Sequence, residues 1–91
     1  MAISILFQTP GMTKAQYDRV VKGLEAAGQG KPRGRLYHVA SPLEGGWQVL
    51  DVWESQETFD KFGTVLLPLL EKAGVKMPPP KITPVHNIIR T

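Results

Sequence analysis

A histidine and a carboxylate that could share a proton lie in neighbouring predicted strands. His38 belongs to the segment Arg35 to Ser41, and Asp51 belongs to the segment Trp47 to Trp53. A histidine that is oriented by a carboxylate can act as a general base toward a hydroxyl group. His38 and Asp51 are therefore the candidate catalytic residues, and a purely structural hydrogen-bonded pair is the alternative.

Large aromatic side chains accompany this pair. Residues of a strand alternate between two faces, so Trp47 and Trp53 share a face with the candidate carboxylate. Leu36 falls on the predicted face of the candidate histidine, and Gln8 ends the first predicted strand. We predict that these four residues bind a planar aromatic or quinone-like molecule, and a core or interface role is the alternative for the tryptophans.

Metal, thiol and serine chemistry have little support in the residue types. The sequence has no cysteine, and its two histidines, His38 and His86, lack the spacing of a metal site. His86 is expected to be structural or solvated. Ser4, Ser41 and Ser55 do not lie in a nucleophile elbow. No metal and no cofactor are expected.

The composition indicates one small domain that spans residues 1–91. The sequence is 42% hydrophobic and carries a net charge of +3. The basic residues Lys31, Arg33 and Arg35 predict a solvated loop, because no nucleic-acid reader motif and no interleaved aromatic residues accompany them. The longest apolar run is too short to cross a bilayer, and the N-terminus lacks a secretion-signal pattern. We expect a cytoplasmic protein without a nucleic-acid or membrane partner.

The spacing of apolar residues predicts the order strand, helix, strand, strand, helix, strand. The strands are predicted at Ile3–Gln8, Arg35–Ser41, Trp47–Trp53 and Ile82–Ile89. Thr13 and Gln16 form a capping box at the start of the first helix, and Gly28 ends that helix. Ser55 caps the second helix, which Pro68 is expected to kink or split.

This order is the α+β, ferredoxin-like βαββαβ pattern, with a four-stranded antiparallel sheet and both helices on one face. We expect His38 to pair with Asp51, which puts both on one face of the hairpin. Tyr37, Val39 and Leu50 are then predicted beneath the helices, and the tryptophan-bearing face is predicted to be free. A free face of that kind is too apolar for water, so we predict a homodimer whose paired sheets enclose a pocket.

The segment VLDVWESQETFDKF resembles a hallmark of the dimeric α+β barrel superfamily, and within it of the antibiotic-biosynthesis-monooxygenase-like (ABM-like) group. In that group a tryptophan ends the third strand before a serine-capped helix, as Trp53 and Ser55 do here. The resemblance implies a ferredoxin-like protomer that pairs into a dimeric barrel. Members of the group include cofactor-independent quinone-forming monooxygenases and haem-degrading oxygenases.

By this resemblance Trp53 matches the pocket tryptophan of the haem-degrading members. Those proteins also use an asparagine on the first strand and a histidine on the second helix. This sequence has Gln8 near the first position and no histidine in the second predicted helix. Haem degradation is therefore not expected.

The predicted function is a small homodimer that encloses an apolar pocket for an aromatic or quinone-like molecule. As a cofactor-independent monooxygenase, the protein would use His38 to deprotonate a phenol, and the resulting anion would react with O₂. A non-catalytic binding module or a structural dimer is the alternative.

Overall fold

In the computed structural model, which describes all 91 residues, four antiparallel strands form one sheet and both helices pack on the same face of it. The elements are β1 (Ile3–Pro10), α1 (Lys14–Ala26), β2 (Arg35–Leu43), β3 (Gly46–Trp53), α2 (Gln56–Lys72) and β4 (Lys81–Pro84). The strand order is β2-β3-β1-β4. This arrangement confirms the predicted α+β, ferredoxin-like architecture. Neither helix combines the length and the apolar character needed to cross a bilayer.

Helix α1 begins and ends where its capping residues predict. The Thr13 hydroxyl accepts a hydrogen bond from the Gln16 backbone N–H at 3.2 Å, and the Gln16 side-chain oxygen accepts one from the Thr13 N–H at 3.0 Å. The two bonds satisfy amides that have no partner within the helix. Gly28 follows the C-terminus with a φ of 77°, a left-handed conformation that glycine adopts without strain.

Helix α2 begins after Ser55, whose hydroxyl accepts a hydrogen bond from the Thr58 N–H at 3.2 Å. The helix continues through Pro68 to Lys72, so it is not split at the proline. Because proline has no N–H, the carbonyl group of Thr64, four residues earlier, has no hydrogen-bond donor within the helix. Both Pro68 and Thr64 are exposed. The missing hydrogen bond therefore leaves a carbonyl near water and not in the core.

Strands β2 and β3 form a hairpin around the two-residue turn Glu44-Gly45, where Gly45 has a φ of 72°. The register pairs His38 directly with Asp51, as predicted. Directly opposed residues of an antiparallel pair point to the same side of the sheet. The candidate catalytic residues are therefore neighbours on one face.

The assignment of the two sheet faces is the main correction to the prediction. Trp53 is 0% exposed beneath α2, with its ring centroid 5.6 Å from that of Phe59 and 5.0 Å from that of Phe62. Trp47 stacks on Tyr17 of α1 with a centroid distance of 5.3 Å. The tryptophan-bearing face thus lies under the helices and is not the free face.

This helix-covered face holds the core of the protein. Strand β1 contributes Ile3, Ile5 and Phe7, which are all buried. His38 and Asp51 also lie on this face. Their polar groups can be covered by the helices because each of them has hydrogen-bond partners within the protein.

The opposite face of the sheet, which we call the outer face, carries the side chains of Leu6, Tyr37, Val39, Leu50 and Val52. Val39 is 56% exposed and Leu50 is 40% exposed, and the two lie directly opposite each other. The C-terminal residues reach this face, since the Arg90 guanidinium lies 5.5 Å from the centre of the Tyr37 ring. An apolar face that the helices do not cover therefore exists, but it consists of other residues than those predicted, and the C-terminal segment lies over part of it.

Strand β4 is shorter than predicted. It is an edge strand that pairs with β1 and ends at Pro84. Proline has no amide hydrogen with which to extend the ladder, so the predicted continuation to Ile89 is wrong. His86 lies beyond the strand and is exposed.

Candidate functional site

A cavity of about 130 Å³ lies between the sheet and the two helices. Its apolar walls include Phe7, Trp47 and Val49 of the sheet, Leu24 of α1, and Phe62 and Leu66 of α2. Its titratable lining residues are Tyr17, Arg35, His38 and Asp51. A few polar groups in a mostly apolar concave surface are typical of a small-molecule site. Nowhere in the chain do three or more histidine, aspartate or glutamate side chains come together as a metal-binding group.

Asp51 anchors the polar groups of this cavity, and only 3% of it is exposed. Its Oδ1 atom is 2.6 Å from His38 Nδ1, and its Oδ2 atom accepts a hydrogen bond from Trp53 Nε1 at 3.2 Å. The indole N–H can only donate, so the carboxyl oxygen accepts there. Asp51 therefore holds the imidazole ring of His38 in one orientation.

The other ring nitrogen of His38 contacts a residue of helix α1. His38 Nε2 lies 2.6 Å from the hydroxyl oxygen of Tyr17. In a neutral imidazole whose Nδ1–H donates to Asp51, Nε2 is an acceptor and the Tyr17 hydroxyl donates to it. Asp51, His38 and Tyr17 form a hydrogen-bonded triad, which links Tyr17 at the cavity wall to the imidazole ring of His38 and this ring to the carboxylate.

Tyr17 faces the cavity from α1, with its ring stacked on Trp47. Burial raises the pKa of Tyr17 above its ordinary value of 10.0, the positive charge of Arg35 opposes this shift, and the Asp51 carboxylate adds to it. Desolvation disfavours the tyrosinate, because an anion loses more hydration than a neutral phenol. At neutral pH Tyr17 is therefore protonated and can donate to His38.

An alkaline titration is expected to show that Tyr17 ionises above pH 10.0. Tyrosinate absorbs more strongly than tyrosine in the near ultraviolet, so absorbance follows the ionisation. The difference between the titration curves of the wild type and of Tyr17→Phe isolates this residue. A difference curve with its midpoint at or below pH 10.0 would contradict the assignment of Tyr17 as a buried donor.

The raised pKa of Tyr17 also determines how stability changes in alkali. Above pH 10.0 the unfolded chain releases the Tyr17 proton while the folded chain retains it. The free energy of unfolding should therefore fall as the pH rises past this value, until the folded protein also loses the proton. Urea titrations at several alkaline pH values should show a shallower decline in Tyr17→Phe.

Trp47, which also lines the cavity, carries a buried polar atom. Its Nε1 atom is buried and has no hydrogen-bond partner within the protein. A buried indole N–H normally has an acceptor. Trp47 lines the cavity, but its Nε1 atom is closed off and does not face a ligand there. The polar groups that a ligand oxygen meets in the wall are those of Tyr17 and Arg35.

Three of the predicted ligand-binding residues lie outside the cavity wall. Gln8 points to the outer face, where its Nε2 donates to Gln48 Oε1 at 2.9 Å. Leu36 is 42% exposed, because a β-bulge between Arg35 and Tyr37 removes it from the ladder. Trp53 is a core residue behind the triad.

The structure also brings two residues to the site that the sequence assigns to other roles. The helical spacing places Tyr17 in the apolar stripe of α1, and the charge pattern places Arg35 in a solvated cluster. A tyrosine in an apolar stripe needs a partner for its hydroxyl, and this need is the one signal that points to the site. Arg35 is held over the Phe62 ring at 5.8 Å, and its Nη2 donates to the Gly30 carbonyl at 3.3 Å.

Comparison with solved structures identifies the fold. An ABM-like protein from Chloroflexus aurantiacus has a TM-score of 0.66 and 14% identity, with 97% of each chain covered. The chain has the ABM-like fold. SnoaB from Streptomyces nogalater, described as a cofactor-independent oxygenase, has a TM-score of 0.66 and 12% identity, with 99% of this chain and 97% of SnoaB covered. Rv0793 from Mycobacterium tuberculosis has a TM-score of 0.66 and 9% identity, with 99% of this chain and 98% of Rv0793 covered.

No family model matches the chain, and no curated protein matches it in sequence. At identities of 9% to 14%, the ABM-like fold is the property that these proteins share. The roles of individual residues therefore depend on the geometry of this chain itself, above all on the contacts of Tyr17, His38 and Asp51.

Proposed function

We propose that this protein binds a small phenol-like or quinone-like molecule in the cavity, and that it oxidises a bound phenol with O₂ and without a cofactor. The observation that carries the proposal is the hydrogen-bonded triad of Asp51, His38 and Tyr17 at the wall of an apolar cavity. An apolar cavity selects the ring of the ligand, and a base at its wall can take a proton from the ligand hydroxyl.

The size and donors of the cavity support an aromatic ligand with an oxygen substituent. The volume of about 130 Å³ is close to the ~150 Å³ of an apolar cavity that holds benzene. A single six-membered ring is therefore close to the largest group that this cavity holds. The side chains of Tyr17 and Arg35 line the cavity and are the polar groups that a ligand oxygen would contact.

The triad supplies a route for the proton of the substrate. The substrate hydroxyl donates to the Tyr17 oxygen while Tyr17 passes its own proton to His38 Nε2. The Asp51 carboxylate stabilises the imidazolium that forms. Arg35, whose charge already favours an anion at Tyr17, stabilises the phenolate of the substrate. In this scheme His38 is the base and Tyr17 is the proton relay.

The phenolate is rich in electrons and can reduce O₂ directly. A carbon–oxygen bond forms at the ring carbon para to the phenolate oxygen, and the triad returns a proton to the resulting peroxide. Loss of the ring proton at that carbon breaks the oxygen–oxygen bond. One atom of O₂ becomes the new carbonyl oxygen and the other leaves as water, so phenol and O₂ give a quinone and water.

The comparison with solved structures supports a reaction of this class. SnoaB, which has the same fold, is described as a cofactor-independent oxygenase. We extend that activity to this chain as a proposal, because the apolar cavity and the triad are the parts that such a reaction needs.

Binding and oxygen consumption together test the proposal. Simple meta-alkyl phenols, which keep a hydrogen at the para carbon, are titrated into the protein by calorimetry, and O₂ uptake is followed with an electrode in the presence of a metal chelator. We expect binding, and we expect uptake of one O₂ for each quinone formed. The absence of both binding and uptake across these phenols would overturn the proposed function.

A non-catalytic binding module is the second candidate function. It is favoured by the hydrogen bond from Tyr17, which occupies Nε2 of His38, the atom that would act as the base. Phenol binding without O₂ uptake or product over hours would select this alternative over the oxygenase.

We also propose that two copies of the chain pair through the outer face into a dimeric α+β barrel. Val39 and Leu50 leave a contiguous apolar surface on the side of the sheet that the helices do not cover. A monomer rarely leaves such a surface in water. The cavity lies on the other side of the sheet, between the sheet and the helices, so it is not the pocket predicted between paired sheets, and each protomer would keep its own site.

A further inference from the structure

A second cavity, of about 330 Å³, adjoins the first one. Gln29 and Phe62 line both cavities and form the boundary between them. The second cavity is also lined by Pro32, Arg33, Thr58, Lys61 and Val65. The two charged residues in this lining, Arg33 and Lys61, are both basic. The apolar cavity, in contrast, has the acidic residue Asp51 in its wall.

The charges of this second cavity are largely available to a ligand. Arg33 forms no ion pair in the protein. Lys61 pairs with Glu57 at 3.3 Å, but both side chains are highly exposed, so the pair is weak and easily exchanged.

The backbone holds Arg33 near helix α2. Gly34 has a φ of 94°, and a Cβ atom at this position would lie 2.6 Å from the Thr58 side chain. The Gly34 carbonyl also accepts a hydrogen bond from the Glu54 N–H at 2.8 Å. The loop can approach the helix this closely only because residue 34 is a glycine. The backbone that carries Arg33 is therefore held against helix α2.

We propose that the basic cavity binds an anionic substituent of the molecule whose ring occupies the apolar cavity. This inference rests on the proposed function and narrows the substrate class to hydroxyaryl acids. The aromatic ring lies near Tyr17, a short chain passes between Gln29 and Phe62, and a carboxylate meets Arg33 and Lys61. Charge-assisted hydrogen bonds of this kind are stronger than neutral ones.

A pair of matched ligands tests the inference. The probes are meta-hydroxyphenylpropionate and meta-hydroxyphenylpropionamide, which keep a hydrogen para to the hydroxyl and differ in charge and hardly in shape. We expect calorimetry at low salt to show that the acid binds about five to ten times more tightly than the amide. Added salt should reduce this ratio, because exposed charges are screened.

Variants locate the preference for the acid. In the double variant Arg33→Gln and Lys61→Gln, the acid and the amide should bind equally, with the affinity of the amide unchanged. Lys81→Gln is the matched control, because Lys81 is exposed on β4 at the far edge of the sheet. This control should keep the full preference.

The outcomes separate this inference from the proposed function. Equal binding of the two ligands by the wild type would overturn the anion site and leave phenol binding in place. A preference that persists in the double variant would overturn the assignment to Arg33 and Lys61. Failure of the amide and the acid to bind at all would overturn the proposed function, and the anion site with it.

Discussion

Replacing both Val39 and Leu50 by lysine is expected to convert the proposed dimer into a monomer. The two side chains face each other on the outer face, so a dimer through this face would bring four new positive charges together. An unpaired charge buried in an interface costs several kcal/mol. We expect the dissociation constant to rise by at least about a thousandfold, which corresponds to ~4 kcal/mol.

Sedimentation equilibrium measures this effect directly. The wild type should have twice the chain mass of 10.1 kDa, and the double variant should have 10.1 kDa. Leu67→Lys is the control, because Leu67 is an exposed apolar residue on α2, on the opposite side of the sheet. This control should remain a dimer. A wild type that sediments as a monomer at micromolar concentration would refute pairing through the outer face.

The local signals in the sequence predict most of the fold correctly. The capping box of Thr13 and Gln16 and the glycine at position 28 fix the ends of α1, because they act within a few residues. The pairing of His38 with Asp51 follows from the length of the hairpin. These features need no knowledge of the rest of the chain.

The choice of the covered face could not be predicted in the same way. Alternation in a strand shows which residues share a face, but it does not show which face the helices cover. The prediction puts His38 and Asp51 on the face away from the helices, because burying a polar group costs free energy unless it is hydrogen-bonded. The structure buries Asp51 instead, since Trp53 and His38 donate to it and Tyr17 completes the set.

The candidate site is predicted in part for the same reason. His38 and Asp51 come together because the hairpin alone determines their distance. Tyr17 comes from a helix that is distant in sequence from β2, and only the packing of α1 on the sheet brings it to the histidine. The bulge that displaces Leu36 likewise leaves no clear mark in the sequence.

His38→Gln is expected to lower the turnover of a phenol by about 10²- to 10⁴-fold, the usual contribution of a positioned general base. Glutamine keeps a polar side chain opposite Asp51, but it cannot accept a proton at neutral pH. The loss should appear in kcat, because the apolar walls that bind the ring are unchanged. Initial rates of O₂ uptake at saturating phenol measure it.

Two further variants show whether such a loss reflects proton transfer or a damaged structure. Tyr17→Phe keeps the ring that stacks on Trp47 and removes only the hydroxyl, so it should bind the phenol and still lose turnover. His86→Gln alters an exposed histidine in the C-terminal segment and should leave the rate unchanged. Full turnover in His38→Gln would exclude His38 as the base. In that case the triad would be a structural device that allows Asp51 to be buried, and the cavity would be a binding site without this proton-transfer chemistry.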